Sequence, residues 1–169
     1  MGYEVIHLKP TLDTSAYANN DILFEREVIS LPAKACKLLS IQAIWSDAQA
    51  SDDELLVGFF RENVQVLGGN KNAASAATSA LFRPDSGSFL GFVRISQDAS
   101  VEAGLGAPSL LSSNTSFGDN SGEHLGPHCP IVIKSGTEDY KIYVAALLEV
   151  SAGITCAADS LDIFIHVEY

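Results

Sequence analysis

The only stretch with the makings of a metal site is GEHLGPHCP, which holds Glu123, His124, His128 and Cys129. Carboxylate, imidazole and thiolate donors crowded within a few positions could supply zinc or iron. The spacing departs from that of a zinc finger, and no second donor pair stands downstream. His166, on an alternating segment, is the single distant ligand left. The plainer reading is a polar loop whose histidines face solvent or a neighbouring subunit, and it is the one preferred. Just before it, FGDNSGE (residues 117–123) sets oxygen donors at alternate positions as a calcium loop would. It lacks the full EF-hand pattern and the flanking helices, so a hydrated loop is expected there.

Nucleophilic and phosphate chemistry find less support. There is no G-x-S-x-G elbow, and no cysteine is followed by a suitable His and Asn arrangement. Gly68-Gly69 and the glycines at 104 and 106 do not sit between a strand and a basic helix start, as a phosphate loop requires. Asp52, Asp53 and Glu54 form an exposed acidic turn with nothing to desolvate them. The single Trp45 lies on an apolar strand face and is assigned to the core rather than to a glycan platform. The sequence therefore nominates no catalytic, cofactor-binding or metal-ligating residue, and no enzyme is expected.

The elements that would position any site are strands. Leu39, Ile41, Ala43 and Trp45 alternate with Ser40, Gln42 and Ser46, the period-two pattern of a half-buried strand. Leu55, Val57 and Phe59 align in the next segment, and a hairpin between the two is the natural inference across the acidic turn. Tyr140, Ile142, Val144, Ala146 and Leu148 share one face, and Leu161, Ile163, Ile165, Val167 and Tyr169 share another. Strands are also expected at Tyr3 to Lys9, Ile22 to Leu31 (Phe24 and Val28 on one side, Glu25 and Glu27 on the other), Phe89 to Ser96 and Ile131 to Lys134. An Ala-rich patch from Ala73 to Ala80 could form one or two helical turns if packing holds it. Gln97 to Pro130, rich in Gly, Ser, Asn and Pro, reads as one long loop, and a run of that length usually marks an interface or a functional segment. The expectation is a single all-β domain over residues 1–169, a jelly-roll-like β-sandwich of about eight antiparallel strands with one long loop.

Composition narrows the partners. Of 169 residues, 47% are hydrophobic, enough for a core, and 21 acidic against 10 basic side chains leave a formal charge of -11. So acidic a surface repels phosphate backbones and anionic headgroups, which argues against nucleic acid and membrane partners. No signal peptide is read at MGYEVIHLK, and no apolar run reaches the roughly 20 residues of a membrane helix. Gly2 lacks the Ser or Thr that a myristoylation motif wants, because Ile6 stands there. Cys36, Cys129 and Cys156 are odd in number, widely spaced and flanked by small or apolar residues. They read as buried free thiols of a protein folded in a reducing cytosol.

The segment TLDTSAYANNDIL carries the one resemblance. Asp13, Thr14, Ala16, Tyr17 and Asp21, followed by Ile22 and Leu23, match the form D-T-x-A-Y-x-x-x-D plus an apolar residue. That form resembles a segment near the N-terminus of small bacteriophage structural proteins. The later layout is similar too: a long strand ending in Ser46-Asp47, an LLVGFF strand and a terminal SLDIFIHVEY strand. The likeness covers most of the chain in layout, but about a dozen residues as motif, and the loop Gln97 to Pro130 has no counterpart in it. It implies a jelly-roll virion protein that decorates or cements the outside of an icosahedral head, made in the host cytoplasm. A homotrimer bound to the major capsid protein is implied as well. A phage tail or receptor-binding component, or a small jelly-roll ligand-binding module, is the alternative. Within the segment, Asp13, Thr14 and Asp21 are expected to satisfy the turn's own backbone, and Tyr17 to pin the corner against the sandwich.

Overall fold

The computed structural model describes residues 1–46, 54–63, 67, 70–75, 88–96, 109–113, 131–149 and 153–169. These residues contain nine strands and no helix: β1 (Tyr3–Leu8), β2 (Asp21–Ser30), β3 (Ala35–Trp45), β4 (Glu54–Phe60), β5 (Phe89–Ser96), β6 (Ser109–Ser113), β7 (Val132–Lys134), β8 (Lys141–Glu149) and β9 (Leu161–Glu168). They make a β-sandwich. The first sheet runs β1-β9-β3, with β6 and β7 both pairing to β3, and the second runs β2-β8-β4-β5. Every pairing is antiparallel.

The order has a simple logic. β1 pairs with β9, β2 with β8, β3 with β6 and β7, and β4 with β5. The second half of the chain lies back along the first as one long antiparallel hairpin, rolled so that β1 to β4 alternate between the sheets and β5 to β9 each join the sheet of their partner.

Alternation supplies the core. In β9, Leu161, Ile163, Ile165 and Val167 are wholly buried, and in β8 so are Ile142, Val144, Ala146 and Leu148. Trp45, Leu55, Val57 and Phe59 meet them between the sheets. Fully burying one such side chain is worth about 1.5–3 kcal/mol, so the paired apolar faces dominate the stability. On the opposite face of the second sheet, Ile22, Phe60, Leu67 and Ala145 form a smaller cluster, with Phe89, Tyr143 and Leu147 against it.

Several sequence expectations need correction. β3 and β4 do not form a hairpin; they lie in different sheets, and each buries its apolar face against the other sheet instead of pairing edge to edge. The expected loop Gln97 to Pro130 contains β6, which pairs Ser109–Ser113 with Ile41–Trp45 of β3. Two expected faces also slip. In β3 the register shifts between Leu38 and Ser40, so Cys36 and Leu38 are buried before the shift and Ile41, Ala43 and Trp45 after it, while Leu39 is only half-buried. In β2 two shifts flank Phe24, and Arg26 takes a φ of 57°. Phe24 is buried as expected, but Val28 turns outward, 48% exposed, and Ile29 replaces it inside. One extra residue in a strand reverses every face beyond it, which is why an unbroken alternation could not anticipate these positions. Tyr140 leaves the core face as well: it precedes β8 with a φ of 56°. At the Ala-rich patch, Ala74 forms a bridge to Asp21 rather than a helical turn, and residues 76–80 lie outside the described residues.

Candidate functional site

The corner that enters β2 is built from short polar side chains. Asp13 Oδ1 accepts the Ser15 amide at 2.7 Å, and Asp21 Oδ2 accepts the Ala18 amide at 2.6 Å. Both are the side-chain-to-backbone bonds that let Asp hold a turn. The Ser15 amide holds the Asp13 carboxyl below the ordinary carboxylate range. Tyr17 is 1% exposed, and its hydroxyl accepts the Asp13 amide at 2.6 Å and donates to the Leu23 carbonyl at 3.3 Å. Tyr17 also exchanges backbone bonds with Ile154, at 2.7 and 3.1 Å. From the far side, Lys71 Nζ donates to the Thr11 carbonyl at 2.9 Å and the Asn72 amide to Asp13 Oδ1 at 3.3 Å. Asp13, Tyr17 and Asp21 therefore do what the motif implied; Thr14 is exposed. Asp13, Tyr17, Asp21 and Lys71 are turned to the protein's own backbone, which makes the corner structural rather than reactive.

The second concentration of chemistry-bearing side chains lies on the outer face of the first sheet. Register sets three rows across β1, β9 and β3: Tyr3, Glu168, Lys37; then Val5, His166, Ser40; then His7, Phe164, Gln42. Tyr3 Oη hydrogen-bonds His166 Nδ1. His7 Nε2 lies 2.6 Å from Asp162 Oδ1, and its ring stacks on Phe164 at 4.8 Å and 7°. Lys37 Nζ reaches Glu168 at 3.3 Å. Imidazoles, a phenol and carboxylates meet here on an open sheet face, and the one alcohol in the rows, Ser40, stands opposite His166 by register. The arrangement is suited to surface contact through stacking and hydrogen bonds. Sequence reasoning singled out only His166, as a stray ligand. The signal for the rest was present in the alternation of Tyr3, Val5 and His7 opposite Asp162, Phe164, His166 and Glu168.

The donor cluster Glu123, His124, His128 and Cys129 lies outside the described residues, as do residues 117–123, the acidic pair Asp52 and Asp53, and the glycines at 68, 69, 104 and 106. Among the described residues no group of three or more His, Cys, Asp and Glu is placed to hold a metal ion. Trp45 is fully buried in the core, as the sequence indicated. Cys36 and Cys156 are buried free thiols. Burial pushes the Cys36 thiol up, and its Sγ points to the Ala33 carbonyl at 3.7 Å, so it is held as a thiol and not as a reactive thiolate. No described helix is long and apolar enough to cross a membrane.

No family model matches the chain, and no curated protein or solved structure matches it either.

Proposed function

We propose that this chain is a bacteriophage virion structural protein, a jelly roll that binds the outside of an icosahedral head and cements it. What carries the reading is the corner motif, in which Asp13, Tyr17 and Asp21 are spent on holding backbone and bring the chain into β2. The nested pairing of first-half strands with second-half strands supports the jelly-roll assignment, since a rolled antiparallel hairpin gives the two Greek keys of that fold. The formal charge of -11 supports an outer position, away from packaged DNA and toward a shell protein with basic surface. Buried free thiols suit folding in the host cytoplasm. The partner in this reading is the major capsid protein, the working form is a homotrimer on the capsid surface, and no catalytic role is assigned.

The test is placement on the particle. Virions purified from a lysate that produces this chain, labelled with gold-conjugated antibody and viewed in negative stain, should carry gold over the head. Removing the protein should then lower the temperature at which heads release DNA. Gold confined to the tail would overturn the reading in favour of a tail or receptor-binding component.

A further inference from the structure

The edges of the two sheets are built differently. β2, at one end of the second sheet, is broken by two register shifts and holds Arg26 at a φ of 57°. β5, at the other end, is interrupted opposite Phe59 and Phe60 and carries Gly91 at a φ of 150°. The far edge of the first sheet is divided between β6 and the three-residue β7. Bulges, kinks and short strands are the devices that keep an edge from accepting another strand. β1 has no bulge or kink: its six residues keep unbroken register with β9, and the guarding charge it carries is Glu4.

The direction of its backbone groups follows from one pair. Gly2 and Tyr169 exchange both of their backbone hydrogen bonds, at 2.6 and 3.0 Å. Such pairs recur at every second residue of an antiparallel ladder. The N–H and C=O groups of Glu4, Ile6 and Leu8 therefore point at β9, and those of Tyr3, Val5 and His7 point away from it. No described residue hydrogen-bonds the outward set.

We propose that β1 is a self-pairing edge, joining antiparallel with β1 of a second copy of this chain about a two-fold axis through Val5. The occupant is argued from self-complementarity. A two-fold axis normal to the sheet keeps outer faces outer, so Val5 meets itself, Tyr3 meets His7 and Glu4 meets Ile6. No like charges stand opposite one another, and all three outward-directed residues exchange paired backbone bonds. Val5 is 41% exposed and Tyr3 58%, so the apolar and aromatic surface that this contact would cover is open. The His7–Phe164 stack then continues across the axis into Tyr3, giving one row of rings over a sheet that spans both copies. The competing register through Ile6 sets Tyr3 against Lys9 and breaks that row.

The proposal is independent of the head-decoration reading, and three variants test it in sedimentation velocity and on non-reducing gels. Val5→Lys puts like charges face to face at the axis and should weaken self-association by about tenfold or more, while its melting at high dilution stays close to wild type. Val5→Cys should form a disulfide-linked pair under mild oxidation, because each new thiol faces its own mate. Glu4→Cys, whose thiol would face Ile6, should not. Wild type and Val5→Lys sedimenting alike, or Val5→Cys cross-linking no more than Glu4→Cys and wild type, would overturn the proposal. Should Val5→Lys fail to fold, the comparison of the two cysteine variants decides by itself. A trimer that persists in Val5→Lys, with no Val5→Cys cross-link, sinks the edge pairing and leaves the head reading standing.

Discussion

Tyr17 satisfies two backbone groups with one oxygen, accepting from the Asp13 amide and donating to the Leu23 carbonyl while its ring fills the corner. Tyr17→Phe keeps the ring and removes both partners, so it should lower stability by about 1–3 kcal/mol in urea titration, with the slope unchanged. The pH dependence has a definite sign. Burial raises the Tyr17 phenol from its ordinary value to about 12. The neutral phenol therefore contributes stability fully below pH 10, and that contribution is lost as pH rises through 12. The gap between wild type and Tyr17→Phe should accordingly be constant up to pH 10 and narrow above it; a gap that widens in base would contradict the assignment. The role of this residue was legible from the crowd of Asp, Ser and Asn around it, because those types in a short polar run have few partners except nearby backbone. Tyr3 and His7 were not legible in that way, since their significance depends on what β9 brings beside them.

At the scale of the element, alternation located the strands and misjudged some of their faces. Leu39 and Val28 were expected on buried faces because nothing in residue type marks where a strand gains an extra residue. Arg26 marks one such place, a non-glycine residue at a φ of 57° in the middle of β2. Left-handed backbone costs a side-chain-bearing residue roughly 1–2 kcal/mol, and glycine pays no such strain. Arg26→Gly should therefore leave stability unchanged or raise it by up to about 1 kcal/mol, against the usual penalty for glycine in a strand. Arg26→Val, with good strand propensity but a branched Cβ, should lower it by about 1–2 kcal/mol. Thermal unfolding of the pair measures both. The mistaken hairpin between β3 and β4 has a different origin. Two consecutive strands with one apolar face each can pair within a sheet or stack across a sandwich, and alternation is identical in the two cases. β6 escaped notice because SLLSS is short and sits in a segment dominated by loop-forming residues.

For the whole molecule, the segment read as a single loop has a structural share. Deleting residues 104–126 removes β6 and leaves Ile41–Trp45 of β3 without a neighbour on that side. Unpaired strand backbone along Ile41–Trp45 should lower stability by several kcal/mol, to be read from cooperative unfolding in denaturant. A deletion variant as stable as wild type would show that β3 is held by β9 alone. The nested pairing has one more consequence, concerning time rather than stability. Among the described residues, β4 and β5 are the only strands that pair with the next strand along the chain; β1 cannot pair until β9 has been made. During synthesis β9 must leave the ribosome before the first sheet can close, and β1 waits for it longest of all. Folding should then begin at β4 and β5 and proceed outward to the meeting of Gly2 with Tyr169, leaving β1 without a strand partner in every intermediate along the way.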